Sequence, residues 1–181
     1  MFISLAQKRR SIRRFLKKNV EDEKIDLLIE AALRAPSSMD RTPWEFIVVK
    51  DRSLLEKLSR AKIHGSSFLK GAPLGIIVCA DPEKSDVWIE DTTIASTFIF
   101  MEAESLDLGA CWIQYRRRNH SDDITADDYI TNLFNLPDNL KVLSIIAIGY
   151  PDEIKAPHDK ESLKYNQVFL NKYGNPYPNQ G

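Results

Sequence analysis

The sequence predicts an α/β layered domain with about four strands. Two observations carry that prediction. Short β-branched and aromatic runs alternate with stretches whose apolar residues recur at helical spacing, in the order helix, strand, helix, strand, long helix, strand, helix, strand and tail. At 181 residues, 43% hydrophobic and 28% charged, the chain has the length for one buried core and an ordinary globular composition. A single domain over 1–181 is expected, with no repeat or low-complexity tract to divide it.

Each element has a local reason. From Asp22 to Arg34, residues Ile25, Leu28, Ile29, Ala32 and Leu33 fall on one stripe of an amphipathic helix, and Pro36 bars its continuation. WEFIVVK (Trp44–Lys50) is β-branched and aromatic and reads as a strand. Ser53 followed by Glu56 matches a capping box, which opens a short helix running to Arg60. LGIIVCA (Leu74–Ala80) reads as a buried strand. A long helix is expected over Val87–Leu106, with Ile94, Ala95, Phe98 and Met101 on one face and Gly109 ending the region. ACWIQY (Ala110–Tyr115) is the third strand. Thr125 can cap the helix ADDYITNLF, with Asp128 at the box position. VLSIIAIGY (Val142–Tyr150) is uninterrupted and apolar, hence central in its sheet. After Pro151 the chain is polar and irregular. VFLNKY (Val168–Tyr173) then reads as an extended segment with no partner left in its own chain, as in a tail that embraces a second copy.

Charge is uneven. KRRSIRRFLKK (Lys8–Lys18) holds seven basic residues, while the rest of the chain has 18 basic against 26 acidic. A nucleic-acid binder spreads positive charge over a face, so one basic segment on an acidic body points to a local, specific anion. A basic arm that grips nucleic acid or anionic lipid is the competing reading. The first twenty residues lack acids, as a transit peptide would, but no apolar run resembles a secretory signal or a membrane span. Cys79 and Cys111 lie in apolar runs and read as reduced, buried thiols of a cytoplasmic protein.

Several chemistries are missing. There is no G-x-x-x-x-G-K-[ST], no G-x-G-x-x-G and no G-x-S-x-G. His64, His120 and His158 are far apart and fit no zinc pattern, and SDDITADD lacks the glycine of a calcium loop, so no metal is expected. With no side chain expected to be the chemical catalyst, a cofactor carries any reaction and the chain supplies grip, orientation and electrostatics.

Four stretches, in order and at matching spacing, resemble the nitroreductase family. RRSIRRF (Arg9–Phe15) resembles its R-[RH]-S-x-[RK]-x-F signature. APSSMDRTPWEFIVV (Ala35–Val49) resembles its A-P-S-[SG]-x-N-x-Q-P-W loop and strand. AESLDLGACWIQ (Ala103–Gln114) resembles its A-x-x-L-G-L-G-x-C-W-I-G segment, and IAIGYPDE (Ile146–Glu153) its I-x-x-G-Y-P strand end. The resemblance implies a mostly antiparallel sheet with four own strands plus one swapped from the partner, and a homodimer whose tail, about 152–181, wraps the other copy. It also implies FMN at sites built from both chains, NAD(P)H as co-substrate and an electron-poor acceptor such as a nitroaromatic or a quinone. Flavin storage, flavin breakdown and dehalogenation are alternatives on the same fold.

Residue by residue, the resemblance gives Arg9, Arg10 and Ser11 to the FMN phosphate and ribityl chain, with Lys160 and His158 joining from the tail. Planar guanidinium donors suit phosphate oxygens. Arg13 matches the position facing the flavin N1–C2 edge, where a fixed cation favours the negative charge of reduction. Pro36, Ser37 and Ser38 match a loop lying against the flavin, and Trp112, Ile113 and Gln114 match the strand passing N5. Asp40 and Thr42 stand where the family has Asn and Gln. An ionised Asp40 only accepts hydrogen bonds and needs pairing, for which Arg41 or Arg13 is the candidate. RRRNHSDDITADD (Arg116–Asp128) is the candidate rim, its three arginines suited to an acidic acceptor or the phosphate of NADPH.

Overall fold

Four strands lie in one open sheet in the order β1 (Trp44–Val49), β2 (Leu74–Ala80), β4 (Lys141–Gly149), β3 (Gly109–Gln114), with every neighbouring pair antiparallel. This computed structural model describes residues 1–178. As expected from its apolar run, β4 is an interior strand, buried from Val142 to Gly149.

Helices cover both faces of the sheet. The helices α2 (Asp22–Leu33) and α4 (Trp88–Ser105) pack Leu28, Ala32, Ile99 and Ala103 against Leu74, Ile76, Ile146 and Ile148. On the other face, α3 (Arg52–Ser59), α5 (Ala126–Phe134) and the 3-10 turn Ser67–Gly71 bring Leu55, Leu58, Leu69 and Ile130 onto Ile77, Ile113 and Ile145. Alternate strand residues feed the two cores, as a pleat requires.

Local signals mostly set the boundaries. Thr125 caps α5 by accepting from Asp128 N at 3.0 Å. The cap of α3 is Asp51 rather than Ser53, because the Asp51 carboxylate accepts from Leu54 N at 2.9 Å and takes the Ser53 hydroxyl at 2.7 Å. Gly109 does not end α4. Asp107 makes that turn with a φ of 58°, and Gly109 opens β3.

The long helix buries a different face from the one its large residues suggested. Ala95 is buried, but Ile94 and Phe98 remain 37% and 39% exposed. Its packed face is Thr92, Ala95, Ser96, Ile99 and Ala103, whose smaller members allow close approach to the sheet. Thr92 and Ser96 satisfy their buried hydroxyls by donating to Trp88 O at 2.6 Å and Thr92 O at 2.7 Å.

Two segments depart further from expectation. The helix α1 (Phe2–Lys8) has no sequence signal, buries no residue and leaves Phe2 and Ile3 exposed. The segment Val168–Tyr173 is not one extended run. Asn171 and Gly174 take left-handed backbone, and Tyr177 N returns to Val168 O at 3.0 Å, closing a local hairpin. The end of the tail, 179–181, lies outside the described residues.

Candidate functional site

The basic segment is built as an extra piece of the sheet edge. Ser11 bridges Ala110 in parallel, and Ile12 N donates to Ala110 O at 3.0 Å. Phe15 then bridges Pro151, and Leu16 N donates to Tyr150 O at 2.9 Å. Apolar anchors at Ile12 and Phe15, each 8% exposed, alternate with basic residues that stay at the surface. The alternation R-S-I-R-R-F therefore turns the core residues in and the charges out.

The chain just after β4 clamps this segment. Glu153 accepts from Arg13 N at 2.5 Å and Arg14 N at 3.2 Å. Lys155 donates to Ser11 O at 2.7 Å and pairs with Glu153 at 3.2 Å. The Arg10 guanidinium donates to Ala156 O. Glu153 and Lys155 are positioning residues that sequence reasoning missed, because nothing in their spacing marks backbone N–H and C=O groups as their targets.

Glu153 is pulled two ways. Partial burial favours the neutral carboxyl, but the Arg13 N–H, the Lys155 ammonium and the Arg14 N–H outweigh it and hold the group below the ordinary glutamate value. A lowered folded-state value means the clamp is complete above the unfolded value of about 4.3 and is lost as pH falls through the folded one. The wild-type chain is therefore expected to exceed Glu153→Gln in stability by about 1–2 kcal/mol at neutral pH. Urea unfolding should show that gap closing in acid; a gap that stays constant there would count against the clamp.

The guanidiniums themselves are uncompensated. None of Arg9, Arg10 and Arg13 forms an ion pair among the described residues. Arg9 lies 5.1 Å from the Phe100 ring centroid and Arg13 5.8 Å from that of Phe68. Burial pushes the Cys111 thiol up, against the opposing pull of the nearby Arg13 and Lys155 charges. With Ser11, this donor set suits a phosphate monoester, which carries up to two negative charges and several acceptor oxygens.

The loop Pro36–Thr42 is held elsewhere. Buried Asp91, in the first turn of α4, accepts from Ser38 N and from the Ser85 hydroxyl, each at 2.8 Å. Ser37 Oγ accepts from Thr42 N at 2.9 Å. Met39, Asp40 and Thr42 all take left-handed backbone, a concentration of strain typical of functional loops. The expected pairing of Asp40 does not occur. Arg41 instead pairs with Asp86 at 2.8 Å, and Asp40 sits exposed at the turn.

On β3, Trp112 and Gln114 share one face and Ile113 takes the other. Trp112 Nε1 donates to Gln114 Oε1 at 3.0 Å, and Gln114 Nε2 donates to Arg116 O at 3.1 Å. The Ile113 side chain is core, 1% exposed. Beyond Ser11 no strand pairs with the β3 edge among the described residues, although the Gln114 carbonyl there accepts from Lys62 at 3.0 Å.

The structure thus joins Arg9–Arg13 to β3 but leaves two other sets apart. Pro36, Ser37, Ser38 and Asp40 precede β1, on the edge opposite β3, with β2 and β4 between. Three interstrand spacings amount to roughly 14 Å. They also lie at the Gln114 end of the sheet, whereas Ser11 lies at the Gly149 end. His158 and Lys160 are exposed on the tail, and no hydrogen bond or ion pair among the described residues ties either to Arg9, Arg10 or Ser11.

Known proteins share this architecture. A solved FMN-dependent nitroreductase from Clostridium difficile R20291 is 46% identical, with a TM-score of 0.93 over 94% of this chain and 99% of that one. A relative from Methanothermobacter thermautotrophicus, provisionally named NADH dehydrogenase/NAD(P)H nitroreductase, is 36% identical over 169 residues, covering 91% of this chain and 84% of the relative. An iodotyrosine deiodinase from Thermotoga neapolitana is 27% identical over 92% of this chain and 98% of its own. The model of the Nitroreductase family matches residues 6–66 and 64–150, which include the basic segment, the Pro36 loop and all four strands. By sequence and by fold alike, the chain belongs to the nitroreductase family.

Proposed function

We propose that the protein is an FMN-dependent oxidoreductase that takes hydride from NAD(P)H and delivers it to a flat, electron-poor acceptor such as a nitroaromatic or a quinone. The observation that carries this reading is the set of uncompensated guanidiniums, Arg9, Arg10 and Arg13, on a backbone bridged to β3 at Ala110 and clamped from the chain after β4 by Glu153 and Lys155. Bound FMN would supply the hydride-accepting atom, N5. Arg9, Arg10 and Ser11 hold the phosphate, with Lys160 and His158 closing on it from the tail. Arg13 places a fixed cation where negative charge builds during the reaction. The open edge of β3 at Trp112, Ile113 and Gln114 offers backbone groups to the ring system. No side-chain acid is required, and solvent supplies the protons for the second half of the cycle.

The site is shared between two copies of the chain. A single copy holds its Arg9–Arg13 and Pro36–Asp40 sets at opposite edges of the sheet, so the second set is supplied by the partner. Exposed apolar residues support a homodimer: Phe2 and Ile3 on α1, Ile94 and Phe98 on α4, and Ile154, Leu163, Val168, Leu170 and Tyr173 on the tail. The domain 1–181 then ends in a tail, about 152–181, that wraps the partner and adds a strand to its sheet. Cys79 and Cys111 are free, buried thiols, in keeping with a cytoplasmic location, and no helix of the described residues is long and apolar enough to cross a membrane.

A visible spectrum of the purified protein, before and after anaerobic NADPH, tests the reading. A flavin spectrum that bleaches is the expected result. A flavin that no reduced nicotinamide bleaches would overturn the reductase assignment. Dehalogenation has the likeness to iodotyrosine deiodinase in its favour; halide release from a halotyrosine would identify it.

A further inference from the structure

A second concentration of positive charge lies beyond the C-terminal end of β3. Lys62, Arg116, Arg117 and Arg118 form no ion pair among the described residues. Lys62, His64, Arg117 and Arg118 line one cleft of about 390 Å³, and the same turn lines a neighbouring one that Arg116 shares with Trp88. The Lys62 ammonium is drawn in by Gln114 O at 3.0 Å and lies 5.6 Å from the Tyr115 ring centroid. Burial, reinforced by the Arg118 charge, pushes its pKa down.

The turn is held rather than loose. Arg118 N donates to Tyr115 O at 2.9 Å, Ala126 N to Arg118 O at 2.8 Å, and Ile63 N to Asn119 O at 3.1 Å. Arg117 takes a left-handed φ of 56°, an uncommon conformation for a non-glycine residue. Asp127, the carboxylate at the neighbouring cleft, is directed to Val142 N at 2.6 Å and lies 4.0 Å from Lys141. Like charges are thus assembled on fixed backbone, one of them partly desolvated, with no ion-paired anion among the described residues to offset them. That arrangement is complete only with an external one.

We infer that Lys62, Arg117 and Arg118 form a binding site for a phosphate monoester, which, resting on the function proposed above, is the 2′-phosphate of NADPH. Two permanent cations, Arg117 and Arg118, with Lys62 and His64 beside them suit a dianion better than a single carboxylate, and arginine forks match phosphate oxygens. Lys62 ties the cleft to the strand of the flavin site through the Gln114 carbonyl. NADPH is therefore expected to be preferred to NADH, chiefly through KM.

The test uses the FMN-loaded protein and two exposed substitutions, Arg118→Gln and Arg117→Asn, the latter chosen because asparagine tolerates the left-handed backbone. Calorimetry with adenosine 2′,5′-bisphosphate, adenosine 5′-monophosphate and inorganic phosphate reads the site directly. The bisphosphate is expected to bind at least about tenfold more tightly than the monophosphate, with each substitution removing about tenfold. The ratio of kcat/KM for NADPH over NADH should fall in parallel. Equal binding of the two nucleotides by the wild-type protein, or a bisphosphate affinity unmoved by both substitutions, would overturn the site. If NADH and NADPH bleach the flavin equally well, the reductase reading stands and the NADPH assignment falls. If inorganic phosphate binds as tightly as the bisphosphate, sensitively to both substitutions, the site stands and free phosphate is its ligand. If the bisphosphate binds as expected but neither nucleotide bleaches the flavin, the reductase reading fails while the phosphate site remains.

Discussion

Gly109→Ala is expected to cost about 1–3 kcal/mol of stability and to weaken FMN binding by about tenfold or more. A Cβ at Gly109 would lie 2.8 Å from Ile12 Cβ and 2.8 and 2.9 Å from its two γ carbons. Because Ile12 branches at Cβ, no rotamer removes all three contacts, so the backbone must move. That backbone joins Ser11 to Arg13. The hydrogen bond from Ile12 N to Ala110 O would stretch, and the donors on either side would lose their common aim. A merely structural glycine would lower stability and leave the FMN dissociation constant of the folded protein unchanged. Urea unfolding and flavin fluorescence titration at a temperature where the variant stays folded separate the two outcomes.

Asp91→Ala is the second large effect, at about 2–3 kcal/mol of lost stability. The carboxylate is 2% exposed and accepts from Ser38 N and the Ser85 hydroxyl, so its loss strands two donors in a dry region. It also removes a negative charge from the first turn of α4, where the helix dipole favours one. The Pro36–Thr42 loop would lose its anchor to α4 while its left-handed residues still oppose the fold. FMN content should fall with stability. Asp91→Asn retains an acceptor for Ser38 N and is expected to recover most of both. If Asp91→Ala keeps the stability and FMN content of the wild-type chain, Asp91 is not what positions the loop.

The buried acid was hidden from sequence reading for a physical reason. In WIEDTTIASTFIF, Glu90 and Asp91 look alike, and a helix N-terminus accommodates either on its solvent side. Only the docking of another loop turns Asp91 inward. The same limit explains the misjudged face of α4. Ile94 and Phe98 are the larger apolar residues, but closeness to the sheet selected Thr92, Ala95 and Ser96. Which face a helix buries when its apolar residues are spread around it depends on the surface it meets.

What the sequence determined by itself was periodic or motif-like. Strand and helix positions, the interior place of β4 and the grouping of Arg9, Arg10, Ser11 and Arg13 followed from residues within a few positions of one another, because propensity, pleat and helix repeat are local effects. The tertiary structure alone decided the contacts between distant segments: Glu153 and Lys155 on the basic segment, Asp91 on Ser38, Lys62 on the Gln114 carbonyl, and Arg41 with Asp86 rather than Asp40. Several of these bonds end on backbone atoms, and every residue except proline carries the same ones. No pattern of side chains could have announced them, and only the folded path of the chain brings those atoms within reach.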